Sequence, residues 1–210
     1  MRRPTRLPEP ASPNRRSMPN GGAFSNRLSP AAESCITWPL LAEPGSSWLR
    51  EHVRDIPDFP KPGVVFKDIT PLLADVEAFR ASVDALADHF AAARVDKVLA
   101  VEARGFIIGA PIAYRFGAGF VPCRKAGKLP WQVEQEEYVL EYGTDLLEVH
   151  KDAVSPGERV LVVDDVLATG GTAGAACALL EGLGAEVVGV HVLLELAFLS
   201  GRATLGERDV

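Results

Sequence analysis

Between residues 75 and 93 apolar side chains recur every third or fourth position (Val76, Phe79, Val83, Leu86, Phe90), the spacing of an amphipathic helix. Beyond it the pattern changes to short continuous apolar runs separated by helical stretches. KVLAVEA (97–103) reads as a buried strand, GFIIGAPIAYRFG (105–117) as a helix and GFVPCRK (119–125) as a second strand. YVLEYGTDLLEVH (138–150) reads as a hairpin turning around Tyr142, Gly143, Thr144 and Asp145. RVLVVDD (159–165) is the next strand, TAGAACALLEGLG (172–184) the next helix and AEVVGVHVLLEL (185–196) the last strand. Continuous apolar strands alternating with helices predict an α/β fold, a mostly parallel central sheet flanked by helices on both faces.

Upstream of that alternation, Leu49, Val53 and Ile56 share one face of a short helix predicted to begin near Trp48. The Pro-rich IPDFPKPGVVFKDITP (56–71) then predicts a stiff, extended loop, because proline fixes φ and restricts the residue before it. Residues 1–47 differ from everything that follows. They are crowded with Pro, Ser, Asn and Gly, show no apolar period and bury too little to offset the entropy of ordering. The chain therefore divides into an N-terminal extension, 1–47, expected to be disordered, and one domain, 48–210. Rich in Arg and poor in acids, the extension faintly resembles an organelle transit peptide. An upstream start or a plain disordered extension accounts for it better, since no amphipathic period is visible.

Composition narrows the function. An apolar fraction of 47% and a charged fraction of 24% are those of a soluble globular protein, and no apolar run is long enough to span a bilayer. The extension carries six Arg and three Glu, a net +3, so the domain carries −9 of the chain's total of −6. So acidic a domain is not a nucleic-acid binder, and an anionic substrate would need a local basic patch. The three cysteines, Cys35, Cys123 and Cys177, lack CxxC pairing. They suit free thiols in a reducing compartment, hence a cytoplasmic location, better than a disulfide framework or a zinc site.

The chemistry concentrates in RVLVVDDVLATGGT (159–172). A strand that ends in Asp164 and Asp165 and turns into a helix places two acids at the carboxyl edge of the sheet, where open α/β folds bind ligands. Ala168, Thr169, Gly170, Gly171 and Thr172 supply close-approaching backbone, two hydroxyls and the N–H groups of a helix start, a ready phosphate cup. Ionised carboxylates accept hydrogen bonds only, which suits the hydroxyls of a sugar beside that phosphate. The ligand this points to is a ribose phosphate. A magnesium-binding strand of P-loop ATPases would need GxxxxGK(S/T), which is absent, and GLGAE (182–186) follows a helix, the wrong order for a dinucleotide fingerprint.

VVDDVLATGGT resembles the phosphoribosyl pyrophosphate (PRPP) signature of the type I phosphoribosyltransferases. IPDFPKPGVVFKDITP, VEARGFIIGAPIA and CRKAGKLPW resemble the adenine phosphoribosyltransferases among them, over residues 48–210. That family transfers the 5-phosphoribosyl group from PRPP to adenine, giving AMP and pyrophosphate, and its fold adds a small hood and a flexible lid loop to the sheet. The resemblance implies that Asp164 and Asp165 face the ribose hydroxyls and that Ala168 to Thr172 hold the 5′-phosphate. It makes Glu102, Ala103 and Arg104 the pyrophosphate loop, with a strained or cis peptide that exposes backbone N–H groups. Arg124, Lys125 and Lys128 become basic residues of the lid, reaching the pyrophosphate, some across a dimer interface; the WQVEQEE that follows has no core pattern. Glu141, with Tyr142 beside it, becomes the acid/base candidate at the imidazole edge of adenine. Phe66 and Leu196 would sandwich the base, while backbone groups of Val65 and Lys67 read its edge. Magnesium would be held mainly by the substrate's oxygens and by water, with no dedicated protein metal cage, and the expected assembly is a homodimer.

The resemblance leaves two departures: the N-terminal extension has no family counterpart, and the chain ends at Val210, short of a further strand expected near the hood. Two other functions share the features above: a phosphoribosyltransferase for hypoxanthine or xanthine, and a non-catalytic regulator that senses PRPP. The front loop PDFPKPGVVFKDI argues against the first, and the lack of a helix-turn-helix pattern against the second.

Overall fold

The structure is a computed structural model and describes residues 36–37, 47–139 and 144–210. A 3₁₀ turn, Ser47–His52, leads into a two-stranded antiparallel unit, β2 (Arg54–Pro57) and β3 (Val65–Asp68), with Ile56 opposite Phe66. Two helices follow, α1 (Thr70–Ala74) and α2 (Val76–His89). Asp75 separates them: its carboxylate accepts the Glu77 and Ala78 N–H groups and caps α2. The main sheet then alternates with helices through β4 (Lys97–Val101), α3 (Arg104–Phe116), β5 (Gly119–Lys125), β6 (Val133–Val139), β7 (Thr144–His150), β8 (Arg159–Leu167), α4 (Gly171–Gly182) and β9 (Glu186–Leu196). A second 3₁₀ turn, Ala197–Leu199, and α5 (Gly201–Leu205) close the described chain.

The seven-stranded sheet has the order β1-β9-β8-β4-β5-β7-β6, where β1 is Ile36–Thr37. The four central strands β9, β8, β4 and β5 are parallel; β7, β6 and β1 run antiparallel to their neighbours. Side-chain alternation along β8 sends Val160 and Val162 to one face and Leu161 and Val163 to the other, all fully buried, which is why the run reads as continuously apolar. Helices α1, α2 and α3 pack on the Leu161 and Val163 face through Leu72, Leu86, Ile108 and Ile112. Helices α4 and α5 pack on the other through Ala176, Leu180 and Leu205. Cys123 and Cys177 are buried free thiols, their ionisation pushed upward by burial.

Several expectations are corrected. The Pro-rich stretch is not a plain extended loop: its ends pair as β2 and β3, which also removes Ile56 from the expected helix. Pro57 lies at the end of β2, Pro60 and Pro62 in the connection and Pro71 in the first turn of α1, so they cost no ladder hydrogen bond. Val133 to Glu137, expected within the lid, form most of β6. The stretch VEQEEYV hides its strand character because β6 is the sheet edge, where charged residues are common and hydrogen bonds are needed on one side only. Thr144 and Asp145, placed in a turn by their sequence, already belong to β7. Ile36 and Thr37 lie in the extension expected to be disordered, yet they pair with Leu196 and Glu195 of β9.

Candidate active site

Strand β8 does not end at its acids. It pairs with β9 as far as Leu167, but with β4 only as far as Val163, opposite Ala100. Val166 and Leu167 are good strand formers with partners in β9, so the ladder continues on that side. On the other side β4 stops at Val101 and the chain turns through Glu102 and Ala103, joined by a cis peptide, into α3. Asp164 and Asp165 therefore stand in the notch where β4 leaves the sheet. Gly105 permits this close packing, since a Cβ there would lie 3.1 Å from Asp164 Oδ1.

The notch opens into a cavity of about 350 Å³ whose lining includes Glu102, Ala103, Arg104, Lys125, Tyr138, Asp164, Asp165, Ala168 and Thr172. A smaller hollow of about 50 Å³ adjoins it, formed by Val166 to Ala173 and so containing Thr169, Gly170 and Gly171. Gly170 takes a left-handed φ of +85° immediately before α4, so the first N–H groups of that helix open onto this loop.

Every cation expected here is present, and each is paired with an acid. Arg104 Nε lies 2.8 Å from Asp165 Oδ2. Arg124 Nε and Lys128 Nζ reach the two oxygens of Glu102 at 2.9 and 2.8 Å, and the Lys125 N–H donates to the same carboxylate at 2.8 Å. Lys125 Nζ pairs with Asp145 at 2.8 Å. Burial pushes the Glu102 carboxyl up, but the bonds from Lys128, the Lys125 N–H and Arg124 outweigh it and hold it below the usual range. The two central acids both shift the other way from Glu102. Burial drives Asp164 well above the usual carboxylate range, and the neighbouring Asp165 charge adds to the rise. Burial also raises Asp165, with Arg104 opposing it.

The expected base-binding residues stand apart from this cavity. Val65, Phe66 and Lys67 lie on β3, and Leu196 at the end of β9; none lines it. Phe66 is nonetheless connected to it, because the Arg104 guanidinium sits 4.9 Å from its ring centroid and Phe59 packs edge-on at 5.2 Å. Glu141 and Tyr142 lie outside the described residues.

Two residues around the site carry no sequence signal that singles them out. Tyr138 lines the cavity from β6 and donates to Asp145 at 3.4 Å. Glu148, buried on β7, accepts the Gly127 N–H at 3.0 Å and Gln135 Nε2 at 2.7 Å. Burial pushes its carboxyl up, but bonds from the Gly127 N–H, Gln135 and the N–H groups of Leu129 and Lys128 bring it below the usual range. The loop that presents Lys128 is thus wrapped around an interior carboxylate. An acid inside LLEVH was the only signal, and it is indistinguishable in sequence from a solvated strand residue.

A notch with two acids, a helix-start anion cup and a ring of cations suits a sugar bearing phosphate at one end and a larger polyanion at the other. Comparison with known proteins is consistent with that chemistry: the family described as phosphoribosyl transferase domain matches residues 69–207. An adenine phosphoribosyltransferase of Parafrankia sp. is 61% identical over 162 residues, covering 77% of this chain and 88% of the relative. The chain belongs to the adenine phosphoribosyltransferases. The adenine phosphoribosyltransferase of Thermoanaerobacter pseudethanolicus superposes with a TM-score of 0.77 at 53% identity, over 78% of this chain and 95% of that one. The Saccharomyces cerevisiae adenine phosphoribosyltransferase, solved with adenine and an imino-altritol bisphosphate, gives 0.74 at 37% identity, over 79% and 96%. The sheet, its flanking helices and the separate β2–β3 unit are thus the α/β architecture of the adenine phosphoribosyltransferases.

Proposed function

We propose that this chain is a purine-salvage enzyme that transfers the 5-phosphoribosyl group of PRPP to adenine, releasing pyrophosphate and forming AMP. The observation that carries the reading is the shared cavity. Asp164, Asp165 and the Glu102–Arg104 turn line it side by side, and the loop before α4 forms an adjoining hollow. In this assignment Ala168 to Thr172 take the 5′-phosphate, and the two aspartates take the ribose 2′- and 3′-hydroxyls. The Glu102–Ala103–Arg104 turn takes the pyrophosphate, with Arg124, Lys125 and Lys128 at its margin.

In the reaction the C1′–pyrophosphate bond breaks as adenine N9 bonds to C1′, through an oxocarbenium-like transition state. Negative charge grows on the leaving pyrophosphate, and fixed cations in a water-poor notch are what stabilise it. Arg104 is aimed by its ion pair with Asp165 and its contact with Phe66. Glu141 is our candidate for moving the proton that adenine loses, between N7 or N9 and solvent. Phe66 and Leu196 are assigned to the faces of the base, and backbone groups of Val65 and Lys67 to its edge.

Asp164 Oδ1 already accepts the Asp165 N–H, Asp165 Oδ2 is held by Arg104, and the two side chains are hydrogen-bonded to each other, so the pair offers few oxygens to a metal ion. That donor set fits magnesium shared with PRPP oxygens and water rather than enclosed by protein. When bound, the ion would offset charge on the pyrophosphate. We assign a cytoplasmic location from the free thiols. Among the described residues no helix is long and apolar enough to cross a membrane. A homodimer would cover Ile107 and Tyr114, exposed two turns apart on α3. The test is turnover of adenine and PRPP to AMP with magnesium, beside hypoxanthine and guanine. No AMP, or equal use of hypoxanthine, overturns the assignment.

A further inference from the structure

Behind the loop that forms the smaller hollow lies α5, and the two touch without a gap. A Cβ at Gly201 would lie 2.3 Å from the Ala168 carbonyl oxygen, and one at Gly170 would lie 2.4 Å from the Gly201 oxygen and 2.8 Å from Thr204 Cβ. Thr204 Oγ1 donates to the Thr169 carbonyl at 2.8 Å. Neither Gly201 nor Thr204 lines the hollow, so they contact the loop from the side opposite its opening.

The helix that makes these contacts is itself fixed. Leu205 is fully buried in the core with α4. Arg202 Nε pairs at 2.7 Å with the buried carboxylate of Glu195, which is the β9 partner of Leu167 in the sheet ladder. Arg202 also donates to a main-chain oxygen of Val210 at 2.6 Å. A rigid support therefore reaches from β9 through α5 to the back of the loop.

A planar trans peptide holds its C=O and the following N–H in opposite directions. Holding the Thr169 carbonyl on Thr204 consequently turns the Gly170 N–H away from α5, toward the open side. We propose that Gly201 and Thr204 are positioning residues for PRPP: they impose on Ala168–Gly170 the shape that receives the 5′-phosphate. The inference rests on the reading of that loop as the 5′-phosphate site. It adds residues from an element 35 positions away, which touch no substrate.

The experiment measures KM for PRPP and for adenine, with ribose 5-phosphate as a competitive inhibitor, on the full chain. Thr204→Val removes one hydroxyl from an exposed side chain, so the fold persists. Losing one hydrogen bond should raise KM for PRPP and the ribose 5-phosphate inhibition constant together by about two- to tenfold. KM for adenine and kcat should stay unchanged, and Thr204→Ser should restore both constants. Gly201→Ala should shift them further; if it fails to fold, Thr204→Val decides alone. A merely structural role would lower Tm and active fraction and leave KM for PRPP in place, overturning the proposal. Thr172→Val, in a residue that lines both the cavity and the hollow, separates the two layers. If it weakens ribose 5-phosphate while Thr204→Val does not, the helix support is wrong and the phosphate site stands. If Thr172→Val leaves ribose 5-phosphate inhibition unchanged, the phosphate-site reading fails and the support falls with it.

Discussion

At the scale of single residues, the site sets function against stability. Asp164 is driven upward by burial and by Asp165, so its folded pKa lies above its ordinary value of 3.8. For such a group the favourable contribution is complete below that ordinary value and is lost as pH rises through the folded value. At neutral pH the protein carries the cost of an acid that resists ionising. Asp164→Asn should therefore raise Tm at pH 8, with the gain shrinking toward pH 4.5; a gain independent of pH would contradict it. The same variant should lose about 1.5–3 kcal/mol of hydrogen bonding to a charged group, a tenfold to hundredfold rise in KM for PRPP. Base choice is a second matter. Phe66→Ala should lose about 1–3 kcal/mol of stacking, seen as a higher KM for adenine and little change for PRPP. An unchanged adenine KM would make Phe66 a prop for Arg104 rather than a base platform. The Asp164–Asp165 pair and the LATGGT loop were legible in sequence because adjacent acids and clustered glycines rarely coincide. Glu148 and Thr204 were not, because each acts on backbone 21 and 35 positions away, and such pairings exist only after folding.

At the scale of elements, what the sequence revealed followed burial. Strands β4, β5, β8 and β9 and helices α2, α3 and α4 are covered by core, so their apolar periods state their structure. Strands β2, β3 and β6 gain order from a neighbour's hydrogen bonds, which leave no apolar period, so β3 and most of β6 read as loop and β2 as the end of a helix running into loop. The acids of β8 were placed at a strand end for a related reason: which neighbour stops first is a property of the sheet. Strand β1 is the smallest case, two residues paired with the end of β9. Deleting residues 1–35, whose composition offers little to bury, should leave Tm and adenine turnover unchanged. Extending the deletion to residue 46 removes β1 and about two backbone hydrogen bonds, at about 0.5–1.5 kcal/mol each. At about 2–4 °C per kcal/mol for a chain of this size, Tm should fall by several degrees. A large loss from the shorter deletion would show instead that the extension packs on the domain.

At the scale of the whole molecule, an acidic domain binds a polyanion by keeping its cations on acids of its own. Arg104, Arg124, Lys125 and Lys128 all sit on carboxylates at one sheet edge, so the patch is prepared without a net basic surface. Away from that edge, acid sensitivity resides in His191. It is 1% exposed on β9, stacked on His89 at 5.2 Å and edge-on to Phe90 at 5.1 Å. Burial, and then the His89 charge, lower its pKa from 6.5 to about 4. The unfolded chain takes up a proton near 6.5, while the folded chain resists until about 4. Stability is therefore intact above 6.5 and is lost as pH falls through that window, by up to about 3 kcal/mol at 1.36 kcal/mol per unit. Asp209, which faces the pair from the C-terminal segment, opposes the shift, and Arg202 adds to it. His191→Leu keeps an apolar side chain of similar size in the same packing and removes the titration. Denaturant midpoints from pH 7.5 to 4 should fall less steeply in the variant than in the parent. Parallel curves would mean that the acid loss arises at other groups, with the interior histidine taking up its proton over the same pH range in both states.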